Sequence, residues 1–425
     1  YSLDANTTAS SNTAVGYASL SSNTTGAENT AIGKDSLGAN TTANSNVAVG
    51  VESLQDNTTG ASNTAVGTGS LKEQTTGSNN TAVGYHSLRE NTTANNNTAV
   101  GYTALLTNTT GSENQAFGTY ALTLNTTGGN NTAVGYNALG ANTTASDNTA
   151  VGFRALEANT TGTNNTAFGK GAGIDITTGD DNTAIGQDAL FTATTASDNT
   201  AVGFQALYSN TSGANNCTVG HNAGFNVTTG SDNTAIGYGS ADNITTGGTN
   251  TLIGALVDGS GTGTSNANGL GYNLSCQDNY TTIGQGSSDC RNAHGEATWA
   301  TVSDERVKKD IEDSTVGLEF INDLRPVTFN YKNKGDLPEN FRGYEEGSTE
   351  VYRNSKSQHG FIAQEVKAAI DKHSDIKDGF SMWDDDDPAG QQRVGETAVI
   401  PMLVKAIQEL SAKIEELEKK LSEEN

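Results

Sequence analysis

Few side chains in this sequence carry chemistry, and most of those stand alone. Cys217, Cys276 and Cys290 are an odd set at spacings that match no zinc pattern, so they read as buried or incidental thiols. With His294, Cys276 and Cys290 make at most a metal half-site. His359 could act as a base, although a packed or hydrogen-bonded ring is the simpler reading. The run Asp384, Asp385, Asp386 and Asp387, followed by Pro388, could recruit a cation, but no calcium-loop spacing surrounds it and a solvated loop explains it. Asp147, Asp180 and Asp181 fall in loops, without the pair of out-of-register carboxylates that polysaccharide hydrolysis requires. No metal and no cofactor is expected.

Two further groups recur with a fixed period. Tyr17, Tyr85, Tyr102, Tyr136, Phe153, Phe204 and Tyr238 each follow a Gly. They read either as a stripe whose faces stack on sugar rings or as a structural ladder or interchain contact, and their shared period favours the ladder. Asn23, Asn57 and Asn91 open Asn-Thr-Thr triplets that match the N-glycosylation pattern, but composition alone supplies that match.

Positioning falls to a repeat. The motif Asn-Thr-Ala-Val-Gly recurs every 17 residues from Asn12 through Asn131 to Asn250, and the coil 131–147 shows the full consensus. Apolar residues fall at the fourth position (Val15, Ile32, Val66, Phe117, Ile185, Val202) and at the ninth (Leu20, Leu37, Leu139, Leu156). Two buried anchors per period suit a coil of a parallel β-solenoid with two short strands and two turns, whereas helical repeats need longer periods and a 3.6-residue stripe. The Gly at the fifth position reads as a site of positive φ or of close approach between coils. Asn and Thr in register predict hydrogen-bonded ladders along the axis. Fourteen steps of roughly 4.8 Å predict a shaft of about 70 Å. Such a coil encloses a thin core that is marginal alone, so three chains side by side are expected.

The repeat fails where Leu becomes Gly173, Gly224 and Ala241, and its register is lost after Gly271, with residues 281–284 as an out-of-phase echo. Surface specificity is expected where the repeat fails, around residues 173, 224 and 255–302, or upstream of Tyr1. The domains expected are a solenoid over 1–254, a transition over 255–302 and an α+β domain over 303–425 that ends in a coiled coil over 399–424. There Ile400, Leu403, Ile407, Leu410, Ile414, Leu417 and Leu421 keep 3-4 spacing.

Charge and hydropathy bound the partners. A net charge of −25, with Lys and Arg concentrated in the last third, argues against nucleic acid. No apolar run reaches 18 residues, so membrane insertion is not expected, and the first residues show no signal-peptide pattern. Tyr1 in place of Met leaves room for an upstream attachment segment.

The repeat resembles the heads of trimeric autotransporter adhesins and, more closely, repeats of phage and algal-virus fibre proteins. The C-terminal region carries four ordered blocks: S-D-E-R-V-K-K-D-I over 303–311, L-E-F-I-N-D-L-R-P-V-T-F-N-Y over 318–331, H-G-F-I-A-Q-E-V over 359–366, and the helical pattern from 399. Together they resemble the intramolecular chaperone domain of phage tailspikes, endosialidases and neck appendages. That resemblance implies a homotrimer whose C-terminal domain drives assembly and then cuts itself off with a Ser–Lys dyad. Ser303 and Lys308 match the dyad, and the bond between Ser303 and Asp304 matches the scissile one. A Lys acts as a base only when neutral, which needs burial or a cationic neighbour such as Arg306 or Lys309. Attack by Ser303 on the preceding carbonyl, by a water, or from a second chain all stay open. Ser303 also reads as a plain helix N-cap.

The function implied is a virion tail fibre or spike that binds a host-surface glycan or protein. The alternative is a cell-surface adhesin that borrowed the same processing domain.

Overall fold

The computed structural model describes residues 1–296, 300–301, 308–341, 343–353, 355–376, 382–384 and 392–424. It divides into two compact units, Tyr1–Ser303 and Asp304–Asn425.

The first unit is a parallel β-solenoid. Strands β1 (Thr13–Val15) through β15 (Thr251–Ile253) are three residues each, and every strand pairs in parallel with the equivalent residues one coil on, as Thr132 with Thr149 and Val134 with Val151. From β1 to β14 each coil has one strand rather than the expected two; a second short strand is present only in the coils that begin with β15 and with the next strand of the ladder. The rest of the coil is a chain of turns made by left-handed residues: in the coil 131–147, Gly135 (φ 136°), Asn137 (56°), Leu139 (50°) and Asp147 (61°). A left-handed Leu costs about 1–2 kcal/mol. Burying its side chain returns about as much or more, on the order of 1.5–3 kcal/mol.

The inward phase also differs from expectation. Strand residues alternate between faces, and the small one points in: Ala133 is fully buried, while Val134 at the fourth position lies on the outer surface. The interior holds the third-position Ala, the eighth-position Ala or Ser and the ninth-position Leu, a core too thin for a Val beside the Leu.

Asn supplies the remaining interior. The first-position side chain accepts from the main chain of the next coil, as Asn29 N–H donates to Asn12 Oδ1 at 2.9 Å. The twelfth-position side chains form a column, as Asn40 Nδ2 donates to Asn23 Oδ1 at 2.8 Å. Both amides of a coil also donate to one carbonyl, that of Ala43 for Asn29 and Asn40. At the fifth position the expectation for Gly holds on both counts. Gly101 has φ 144°, and a Cβ there would lie 2.5 Å from the carbonyl oxygen of Gly118.

The end of the solenoid keeps its ladder while shortening its coil. Short strands β16 (Asp258–Gly259) and β18 (Ser275–Cys276) pair with each other, and β17 (Asn268–Tyr272) continues the main ladder from β15. β19 (Tyr280–Gln285) pairs in parallel on β17 with Gly271 opposite Gly284. The coil has shrunk from 17 to 13 residues (284 − 271 = 13), so the echo over 281–284 is in structural register. β20 (Ser288–Ala293) then turns back antiparallel on β19, and β21 (Ala300–Thr301) pairs antiparallel on β20.

In the second unit, α1 (Leu318–Asp323) precedes β22 (Val327–Phe329), which pairs antiparallel with β23 (Gln358–Gly360), and α2 (Ala363–Ile370) follows. β24 (Trp383–Asp384) and β25 (Arg393–Val394) form a second antiparallel pair before α3 (Ile400–Glu424). The core gathers Phe320, Val366, Ile370, Met382 and Val399. Glu409 of α3 accepts a hydrogen bond from Leu318 N–H at 2.9 Å, which satisfies one of the free donors at the start of α1.

Candidate functional site

The boundary between the two units falls on the bond between Ser303 and Asp304. Ser303 and Asp304 themselves lie outside the described residues, as does the N-cap reading of Ser303. Lys308 is described and exposed in the single chain. Beyond it, the Lys309 ammonium and the Asp310 carboxylate are 4.0 Å apart, both in solvent.

Past the boundary the charged side chains brace the small core. His373 Nε2 lies 3.0 Å from Asp323 Oδ2, and its ring meets Phe320 edge to face. The Lys372 and His373 hydrogen bonds hold the Asp323 carboxyl below the usual carboxylate range. Arg325 pairs with Glu365 and likewise holds that carboxyl low. Lys334 bridges Glu345 and Glu350. The Asp323–His373 pair joins residues 50 apart, and no local sequence signal marks it.

The other candidates resolve into structure. His359 sits in β23 with Nδ1 3.2 Å from Thr328 Oγ1, a hydrogen-bonded surface His. Asp384 belongs to β24, while Asp385, Asp386 and Asp387 lie outside the described residues. Cys276 is buried, which pushes its thiol pKa up, and Cys217 and Cys290 are half-buried free thiols. His294 Nε2 lies 3.2 Å from both Asn268 and Thr281. Among the described residues no three His, Cys, Asp or Glu side chains are grouped to hold a metal ion. Asn23, Asn57 and Asn91 are fully buried, which closes the glycosylation reading. Asp147 and Asp180 accept hydrogen bonds from the neighbouring coil, from Asn130 and Thr163.

The breaks at residues 173, 224 and 241 lie inside the solenoid, not on its surface. Gly173 and Gly224 are buried, and in those coils the twelfth-position Asn has become Ile176 and Val227. In the coil with Ala241 it has become Ile244. These swaps exchange the lost Leu for another apolar side chain, so surface specificity is not to be sought there. The cost appears in the Asn column. Asn159, followed by Ile176, has a buried oxygen without a hydrogen-bond partner, and Asn210, between Ala193 and Val227, has neither amide atom paired.

What the surface does carry is an apolar stripe. Val15 (58% exposed), Phe117 (40%), Phe168 (55%) and Ile236 occupy the fourth position, with Tyr85, Tyr136 (47%) and Tyr238 at the sixth. Rings in successive coils cover one another: Tyr85 and Tyr102 stack at 5.4 Å and 12°, as do Tyr136 and Phe153 at 5.4 Å and 13°. Tyr120 meets Tyr102 and Tyr136 edge to face, at 86° and 85°, and this ring-to-ring contact from coil to coil suits a ladder or an interchain contact. The heptad seam of α3 is likewise exposed along its length, Ile407 by 65%.

Residues 303–375 match the model of a peptidase family described as chaperone of endosialidase. No curated protein and no solved structure matches the chain. The segment after the solenoid is therefore similar to a self-cleaving intramolecular chaperone.

Proposed function

We propose that this chain is a fibre or spike of a virion, made as a trimer and finished by cutting the bond between Ser303 and Asp304. The observation that carries the reading is the coincidence of two boundaries. The family match begins at residue 303, and the solenoid unit ends at Ser303. A removable chaperone has to follow the product it leaves behind.

The trimer is supported by two apolar surfaces that a lone chain leaves in water, the fourth- and sixth-position stripe and the α3 seam. Stripes of this length are rare on monomers. Ser303 of one chain is the proposed nucleophile on the Ser303 carbonyl of a second chain, with Lys308 the base that takes its proton. An ester forms as the bond to Asp304 breaks, and water then hydrolyses that ester. One water is consumed overall, giving a carboxylate at Ser303 and an amine at Asp304. Lys308 is exposed in the single chain, so its desolvation has to come with assembly, which would delay cutting until three chains have met. The finished shaft would then contact a host-surface glycan or protein.

Expression of the full chain followed by intact-mass and sedimentation measurements tests this. Fragments 1–303 and 304–425 with a trimeric shaft are expected from the parent, and an uncut trimer from Ser303→Ala or Lys308→Met. Cutting elsewhere, or cutting by Ser303→Ala, would overturn the assignment.

A further inference from the structure

Main-chain pairing runs without a gap from the coils to the threshold of the proposed cleavage point. β19 lies on β17, β20 on β19, and β21 on β20, with Arg291 opposite Ala300 and Cys290 opposite Thr301. β21 ends at Thr301, two residues before Ser303. β20 is itself fixed from several sides. Asp289, almost fully buried, receives the Arg291 guanidinium at 2.8 and 2.9 Å. His294 N–H donates to the Asn279 carbonyl at 2.8 Å, and the His294 ring meets Asn268 of β17 and Thr281 of β19. Each step therefore requires the one before it. β20 has a place only after β19 docks on β17, and β21 only after β20.

We propose that the pairing of β21 with β20 is the sensor that licenses cleavage. The bond after Ser303 is presented only when the last, 13-residue coil and its antiparallel cap are complete. The C-terminal unit would thus remove itself from a finished solenoid, not merely from an assembled trimer. The physical basis is positioning: a reacting bond anchored two residues upstream has a restricted set of orientations, and loss of that anchor returns it to a flexible tether. After cleavage β21 stays behind as the edge strand of the shaft. This inference rests on the processing reading above.

The test uses the full-length chain. Arg291→Pro removes an N–H and bends β20 where it faces β21, and the cutting rate is expected to fall at least tenfold with the trimer retained. Opposed residues of antiparallel strands have Cα atoms about 4.5–5.5 Å apart, within disulfide reach. Thr301→Cys therefore gives native Cys290 a partner that locks β21 in place. Oxidation of the Arg291→Pro, Thr301→Cys chain is expected to restore cutting to within about threefold of the parent.

Parent-rate cutting by Arg291→Pro, or loss of cutting when the Thr301→Cys single variant is oxidised, overturns the proposal. If Arg291→Pro fails to assemble, hydrogen exchange on the uncut Ser303→Ala trimer decides. Slow exchange at residues 300 and 301, matching β20, supports the sensor, and exchange as fast as an open loop overturns it. Cutting that persists in Ser303→Ala removes the processing reading itself. Cutting abolished by Ser303→Ala but untouched by Arg291→Pro removes only the sensor.

Discussion

Gly173 and Ile176 share one space. A Cβ on Gly173 would sit 3.0 Å from Ile176 Cδ1 and 3.0 Å from Leu156 Cδ2, so the Ile fills the volume that the consensus coil gives to a Leu at the Gly position. Gly there is also unstrained at φ 58°. The pair is a compensated exchange inside a core with no spare room.

That relationship predicts coupling. Gly173→Leu should overpack the coil and cost about 1–3 kcal/mol. Adding Ile176→Asn rebuilds the consensus and gives Asn159 a partner, so the double variant should be at least as stable as the parent. Denaturant unfolding of the mature shaft measures both, and additive losses would show that the two residues do not share the space.

Gly101→Ala should prevent the shaft from forming. The added methyl meets the Gly118 carbonyl at 2.5 Å and the backbone cannot yield, because φ 144° is itself barred to an L residue. Soluble trimer yield is the readout, and a normal shaft carrying Ala at this position would refute the close approach.

Asp258 gives the solenoid's end a pH dependence. Burial raises its pKa from 3.8 to about 6, against two hydrogen bonds from Asn243 N–H and Gly259 N–H that favour the carboxylate. The folded state then holds the proton more tightly than the unfolded one. The stabilisation is full below about pH 4, where both states are protonated, and is lost as pH rises through about 6. The shaft should melt higher at pH 5 than at pH 7, and Asp258→Asn should flatten that difference.

The stripe separates folding from assembly. Phe117→Glu changes a side chain that a single chain already exposes, so the coil's own stability should move by no more than about 0.5 kcal/mol. Three charges brought together in a trimer would instead be desolvated, and sedimentation should show monomer. A trimer of parental stability would place the contact on another face.

Much of this fold was legible in the sequence because a strict period leaves little freedom. The 17-residue step, the role of Gly101 and its equivalents, and the α3 seam follow from spacing alone. Inside and outside did not, because Ala133 and Val134 are both apolar and only one can face a core of this width. The signal was present in the constancy of the small residue, not in the large one. The shortened coil escaped because a change of loop length looks like loss of register when only spacing is counted. Asp323 and His373 escaped because fifty residues separate them. The proposed site was legible only through the order of its four blocks, since neither Ser303 nor Lys308 is distinctive by type.

The Asn column has a direction. Every amide bond along it runs from the later coil to the earlier one, Asn23 to Asn6, Asn57 to Asn40, Asn125 to Asn108, and Gln74 keeps the rule by accepting from Asn91. Dipoles aligned head to tail add, as peptide dipoles do in a helix. The column is therefore an electrical axis with its positive end toward Tyr1, running from Asn6 to Asn57 and again from Gln74 to Asn159, with gaps after Asn57 and where Ile176 stands. A shaft with such an axis has two chemically different ends, one offering donors and the other acceptors, before any domain is attached to either.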